Sequence, residues 1–197
     1  MSSLRVVAGE LRGRRIGAPR GTEVRPTADR VREALFSILG DVSGAAALDL
    51  YCGTGALAFE ALSRGAASAV LVDTDPGLAR RNVEALGLAD RARVERSDAT
   101  RYLEAAPGGA FDLIFLDPPY ELAPRLGAEL DPLIPPALAE GGRVIVESDA
   151  RGPLELSLPL LRERSYGDTL VRIYGPGQVA SAELKEGEEI SGEARSQ

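Results

Sequence analysis

Histidine is absent from this 197-residue chain, and cysteine occurs once, as Cys52. A single cysteine cannot close an internal disulfide, and without histidine it cannot complete a zinc site. The chemistry is therefore expected to need neither metal nor thiol, and Cys52 reads as a small packed side chain. Long apolar runs are missing too, since no stretch approaches the roughly 18 residues of a membrane span. The first residues, Met1-Ser2-Ser3-Leu4-Arg5, hold no apolar signal core, so a cytoplasmic protein with no membrane partner is expected. Lysine is nearly absent, Lys185 being the single one among 23 basic residues.

What is present suits one α/β domain with an appendage. A chain of this length can bury a sizeable core, and its 44% hydrophobic content is ordinary for a globular protein. The net charge of −7 argues at first against a polyanionic partner, but the distribution reverses that impression. Residues 1–32 hold eight arginines against Glu10, Glu23 and Asp29, whereas residues 183–197 hold five glutamates against Lys185 and Arg195. A basic arm on an acidic body is a local footprint for nucleic acid, and the blander reading is a solvated arginine face.

Residues 4–26 carry short apolar pieces broken by Gly9, Gly13, Gly17 and Gly21, which predicts a β-ribbon. Thr27 then predicts an N-cap for a helix over 28–39, with Val31, Leu35, Ile38 and Leu39 on one face. From 45 to 148 strands and helices alternate. Strands are expected over 46–51, 69–73, 93–96, 113–116 and 143–147. Helices are expected over 55–64, 77–86 and 99–105 and within 123–139. Such alternation means a doubly wound, mostly parallel sheet with helices on both faces. Residues 161–166 and 169–174 flank Gly167-Asp168 and predict an antiparallel hairpin at the sheet edge. After Pro176 the composition is rich in Gly, Glu and Ser and predicts disorder. The expected organisation is a basic ribbon over 1–27, a catalytic domain over 28–176 and an acidic tail over 177–197.

Asp117-Pro118-Pro119-Tyr120 follows the apolar run Phe111–Leu116. Neither proline can donate to a strand ladder, so the chain must leave the sheet at Asp117, at the carboxyl end of a buried strand. Ligands bind at that edge of open α/β sheets. The tetrad offers an acceptor carboxylate, a rigid backbone with directed carbonyls and an aromatic face. Those groups suit a planar ring bearing an amino group; the bland alternative is a proline-rich loop with a capping Asp.

A second constellation, Leu48-Asp49-Leu50-Tyr51-Cys52-Gly53-Thr54-Gly55-Ala56, reads as strand, glycine turn and helix start. Gly53 and Gly55 let the backbone pass close to a ligand. Asp73, 20 residues after Gly53, can accept from ribose hydroxyls. This spacing also fits a nicotinamide site. Asp49 weighs against that reading, because a pyrophosphate gains nothing from a nearby carboxylate whereas a cationic amino-acid ligand does; the bland alternative is a buried Asp capping nearby backbone amides. Asp98, before Ala99, is both a candidate ligand acceptor and a helix cap.

The tetrad resembles the DPPY form of the motif in S-adenosylmethionine-dependent methyltransferases that act on exocyclic amines of nucleobases. Residues 49–66, together with 5–15 and 25–33, resemble one group in particular, the bacterial 16S ribosomal RNA guanine-N2 methyltransferases. The resemblance covers 4–175. Where that group often has Ala-Gly-Ser-Gly, this chain has Cys52-Gly53-Thr54-Gly55, which preserves both glycines. The resemblance implies the Rossmann-like class I methyltransferase fold, with seven strands and the terminal hairpin. It implies S-adenosylmethionine as cofactor, bound by Asp49, Tyr51, Gly53, Gly55, Asp73, Asp98 and Ala99. Asp49 would reach the methionine ammonium, Asp73 the ribose and Asp98 the adenine amine. Asp117, Pro118, Pro119 and Tyr120 would be catalytic. Arg5, Arg12, Arg14, Arg15, Arg25 and Arg30 would hold RNA phosphates, and a monomer acting on 16S ribosomal RNA within 30S particles is expected. The rivals are a DNA adenine-N6 methyltransferase, which usually needs a larger target-recognition domain, a nicotinamide oxidoreductase and a non-catalytic nucleotide-binding module.

Overall fold

A computed structural model of the chain describes residues 4–19, 26–119 and 123–176. Thirteen elements follow in order: α1 (Pro26–Leu39), β1 (Ala46–Leu50), α2 (Ala56–Ser63), β2 (Ser68–Asp73), α3 (Gly77–Leu86), β3 (Ala92–Arg96), α4 (Ala99–Ala105), β4 (Phe111–Leu116), α5 (Ala123–Leu130), α6 (Ile134–Ala137), β5 (Leu138–Asp149), β6 (Leu160–Tyr166) and β7 (Thr169–Tyr174). The seven strands form one sheet in the order β3-β2-β1-β4-β5-β7-β6. The first five run parallel, and β7 and β6 close the edge antiparallel. The expected doubly wound sheet with a terminal hairpin is what the chain forms.

Parallel strands covered on both faces must be apolar on both faces, and the central strands here are. Ala47, Phe115 and Ile145 pack on the side of α1, α2 and α3. Leu48, Leu50, Ile114, Leu116, Val144 and Val146 pack on the side of α4, α5 and α6. Phe36, Phe59 and Phe115 are fully buried, with the Phe36 and Phe115 rings 5.9 Å apart between centroids. Each such side chain contributes about 1.5–3 kcal/mol through burial.

The N-terminal ribbon is more closely tied to the body than an appended arm would be. Among the described residues its pairing is a single antiparallel bridge between Arg5 and Arg15, supported by Val6 N–H on the Arg14 carbonyl at 3.0 Å and Ile16 N–H on the Leu4 carbonyl at 2.8 Å. Leu4, Val6 and Ile16 join the α1–α3 side of the core. The fully buried Glu60 of α2 accepts the backbone N–H groups of Val7 (2.8 Å) and Ala8 (3.0 Å). Arg64 donates to the same carboxylate at 2.7 Å, and Arg32 lies 3.5 Å from it. At Gly9 (φ +82°) a Cβ would stand 1.8 Å from the Ser63 carbonyl oxygen, so only glycine lets the ribbon lie flat on α2.

Three local expectations are corrected. Helix α1 begins at Pro26, which places Thr27 inside the first turn rather than at the cap. Proline's fixed φ suits that first position. The helix expected within 123–139 is two, α5 and α6, because Pro132 cannot continue the α5 hydrogen-bond ladder. Strand β5 starts at Leu138 instead of 143, with a shift of register against β4 between Phe111 and Leu113 that absorbs the extra residues.

Candidate active site

The strand order reverses between β1 and β4, and the crevice opens there at the carboxyl ends of the strands. A cleft of about 730 Å³ occupies this position. Its walls combine Tyr51 and Gly53 after β1, Asp73 at the end of β2, Asp98 and Ala99 after β3, and Asp117, Pro118 and Pro119 after β4. Leu126 and Glu129 of α5 close one side. Segments far apart in sequence thus meet around one space, because each leaves the sheet at the same edge.

The two glycines of the turn do different work. Gly53 (φ +51°) lines the cleft, and a Cβ there would meet nothing closer than the Tyr51 carbonyl oxygen at 4.0 Å. Its bare backbone faces the space a ligand would fill. Gly55 (φ +84°) precedes α2, and a Cβ would press within 2.6 Å of Leu71 and Phe59. Gly55 serves strand–helix packing. Between them and β1, Tyr51 holds φ +61°, the single non-glycine residue with positive φ among the described residues. A side chain in that region costs on the order of 1–3 kcal/mol and is retained where the surroundings impose it, often at binding sites.

The carboxylates are held before any ligand arrives. Asp73 Oδ2 accepts the Gly53 N–H at 2.9 Å and Oδ1 accepts the Asp75 N–H at 2.9 Å. A carboxylate has about four acceptor sites, so both oxygens retain capacity toward hydroxyl donors. Asp98 caps α4, its Oδ1 accepting the Arg101 N–H at 2.8 Å, while the residue stays exposed to the cleft. Asp49 lies beneath the glycine turn, 2% exposed, with Oδ2 accepting the Ala58 N–H at 3.2 Å. Burial pushes its carboxyl up to about 7, with Asp73 adding repulsion and the Ala58 N–H pulling back.

Asp117 is reached by solvent through the cleft, yet protein crowds it on the remaining sides. That crowding holds its carboxyl well above the ordinary range, and the charges of Glu147 and Asp49 push the same way. Cys52 is buried, and burial followed by Asp49 and Asp73 raises its thiol, which leaves it an unreactive packed side chain. Among the described residues no group of His, Cys, Asp and Glu is arranged to hold a metal, and no helix is long and apolar enough to cross a membrane. Tyr120 lies outside the described residues.

The six arginines expected to meet RNA do not form one stripe. Arg5, Arg12 and Arg30 line a second crevice of about 420 Å³ between the ribbon and α1, together with Asp29 and Glu33. Arg14 turns the other way and donates to the Ala85 carbonyl of α3 at 2.9 Å. Arg15 is exposed and forms the bridge with Arg5, and Arg25 lies outside the described residues.

The family model described as Conserved hypothetical protein 95 matches residues 4–175. The chain belongs to this family. The Escherichia coli K12 protein named Ribosomal RNA small subunit methyltransferase D is 36% identical over 179 residues, covering 87% of this chain and 89% of that protein. Its Haemophilus influenzae namesake is 32% identical over 184 residues, covering 87% and 93%. Among solved structures, the Escherichia coli protein yhhF superposes with a TM-score of 0.73 at 35% identity, covering 88% of this chain and 97% of its own. A Thermus thermophilus protein gives a TM-score of 0.70 at 29% identity, covering 87% and 98%. These relatives agree with the resemblance read from residues 49–66 and 117–120.

In this member of the Conserved hypothetical protein 95 family, two charged side chains that act electrostatically near the tetrad escaped sequence reasoning. Glu147, two residues before the end of β5, stands one strand over from Asp117, since Leu116 pairs with Val146. The available signal was an acid closing the apolar run Val144-Ile145-Val146. Arg32 of α1, 5% exposed, donates to the Arg5 carbonyl at 2.7 Å and to Asp29 at 2.8 Å, and its charge partly offsets the upward push of burial on Glu147. Nothing in the sequence marked it apart from the other arginines.

Proposed function

We propose that this chain methylates the exocyclic N2 amine of a guanine in 16S ribosomal RNA, acting on the 30S subunit or an assembly intermediate. At the coarser level it is a ribosomal RNA methyltransferase, and S-adenosylmethionine is its cofactor. The observation that carries the reading is that Asp117 and Pro118 line the same cleft as Gly53, Asp73 and Asp98. A target amine at the tetrad would therefore lie beside whatever the glycine turn and the two carboxylates hold.

The residues fit the cofactor. The unobstructed backbone at Gly53 leaves room for it, Asp73 keeps acceptor capacity for ribose hydroxyls, and Asp98 faces the cleft where an adenine amine can donate. Asp49 supplies the negative charge that a methionine ammonium seeks. Bound there, S-adenosylmethionine supplies an electrophilic methyl group on a cationic sulfur.

The chain's own residues do the rest by positioning and electrostatics. An aryl amine is a poor nucleophile because its lone pair is delocalised into the ring. Asp117 and the Pro118 carbonyl accept its two N–H groups, favour a more tetrahedral nitrogen and aim the lone pair into the cleft. The rigid Pro118-Pro119 backbone keeps those acceptors from following the amine as it moves. Tyr120, next in the chain, would stack on a base splayed out of the RNA. Arg5, Arg12 and Arg30 around the second crevice supply phosphate contacts on the α1 side. The names of the Escherichia coli and Haemophilus influenzae relatives, which specify the small ribosomal subunit, support 16S RNA as the substrate.

The test is transfer of labelled methyl from S-adenosylmethionine to naked 16S RNA, 30S particles and DNA, followed by nucleoside analysis. N2-methylguanosine from 30S particles is expected. Methyladenine in DNA, or label on another nucleoside, would overturn the assignment.

A further inference from the structure

The buried face between β1, β4, β5 and α1 holds more charge than cofactor binding requires. Asp49 lies on the α1–α3 side of β1, opposite Phe115 of that same side. On β5, Ile145 faces the α1–α3 side and Val146 the other, so alternation brings Glu147 to the α1–α3 side, opposite Val171 of β7, which belongs to that layer. Asp117 is the first residue after β4, whose last residue, Leu116, pairs with Val146. Asp117 and Glu147 thus each follow one of two residues paired across neighbouring strands, and Asp117 lies near enough to feel the charges of Glu147 and of Asp49 on β1.

We propose that Glu147 acts through Asp117: the two carboxyls form a pair that carries one proton between them, and the proton Asp117 takes up is the one the amine gives up as it is methylated. This rests on the proposed amine methylation. As the N–C bond forms and the C–S bond breaks, the bonding pair stays on sulfur as a thioether. The nitrogen is left with a surplus proton, which passes to Asp117 and from there to solvent. Glu147 contributes by its charge, which makes Asp117 hold a proton more strongly than a lone carboxylate would.

The surrounding groups set where that proton sits. Asp117 faces Glu147 and Asp49, and both raise its proton affinity beyond the effect of burial. Glu147 is raised by burial but opposed by Arg32 from α1. Arg32 is in turn shared with Asp29 and Glu60, and β7 offers only Val171 opposite Glu147. Glu147 is therefore the first of the two to ionise as pH rises; once Asp117 follows, it is free to take the amine's proton, which returns the pair to one proton. Arg32 also holds the Arg5 carbonyl, so the charge next to the pair is fixed to the ribbon.

The experiment compares wild type, Glu147→Gln and Glu147→Asp in the pH profile of kcat on 30S particles, with cofactor affinity measured by calorimetry as a control. Activity requires Asp117 ionised to accept the amine, so the acid limb reports the pair. Removing the neighbouring charge in E147Q moves that limb to lower pH by about one unit, whereas E147D keeps it near wild type. A second readout needs no turnover: the infrared band of a protonated carboxyl in the cofactor-free protein titrates away at lower pH in E147Q. If wild type transfers no methyl group to RNA, the underlying reading fails. If wild type is active and the limb and the band of E147Q both stay in place, Glu147 is a structural residue and the pair is refuted.

Discussion

Replacing Asp49 by asparagine tests the charge beneath the glycine turn. The residue is 2% exposed with one backbone N–H as partner, and its carboxyl sits at about 7 instead of the ordinary 3.8. A carboxyl raised on folding binds its proton more tightly in the native state. Stability is therefore lost as pH rises from about 4 to about 7, and the penalty is fully present above that window. At about 1.36 kcal/mol per pH unit, the gap sets a ceiling of roughly 4 kcal/mol. Local relaxation, and the new amide N–H groups that asparagine must satisfy, reduce the expected gain to about 2 kcal/mol. Without cofactor, D49N should melt about 4–8 °C above wild type near pH 8 and at the same temperature near pH 4. With saturating cofactor the gap narrows by about 1.4 kcal/mol, because losing the charged partner should lower S-adenosylmethionine affinity about tenfold by calorimetry. Proton release on cofactor binding, read from the buffer dependence of the heat near pH 6, should vanish in the variant. Equal melting of the two proteins near pH 8 would mean that the buried charge is already compensated, and the argument for an ammonium partner would fall.

Other perturbations separate the site from its frame. Asp117→Ala should keep the fold and the cofactor affinity but lose at least about a hundredfold in kcat, read by methyl transfer to 30S particles, because the amine loses its charged acceptor. Gly9→Ala should destabilise the protein by roughly 3 kcal/mol or release the ribbon, given φ +82° and a Cβ 1.8 Å from the Ser63 carbonyl. Limited proteolysis near residue 9 distinguishes those outcomes, and a native melting curve with no new cleavage would contradict the packing. Glu60→Ala removes the acceptor of two backbone N–H groups and of Arg64, and should cost about 3–5 kcal/mol in denaturant unfolding. Replacing Arg5, Arg12 and Arg30 together by alanine should leave cofactor affinity unchanged while flattening the salt dependence of RNA binding, at a log–log slope of roughly 0.7–0.9 per lost phosphate contact. An unchanged slope would make that crevice a solvated face.

The sequence by itself determined the order of strands and helices, the exit of the chain at Asp117 and the terminal hairpin. Each is a local matter of apolar period, of prolines that cannot donate, or of a Gly-Asp turn between alternating strands. It also marked Asp49, Asp73 and Asp98, because acids at the ends of apolar strands have few reasons to be there. Helix ends were less legible: Thr27 looks like a cap from its type alone, but Pro26 already occupies the first turn. The division of labour between Gly53 and Gly55 could not be read, since spacing does not say which Cβ would meet Leu71 and which would meet open space. Nor could the attachment of the ribbon, whose stability depends on Glu60, far along the chain on α2. The same holds for Glu147. Its carboxyl matters because β5 lies next to β4 and because α1 brings Arg32 over that face, and strand neighbours and charge partners of this kind exist only once the sheet has closed.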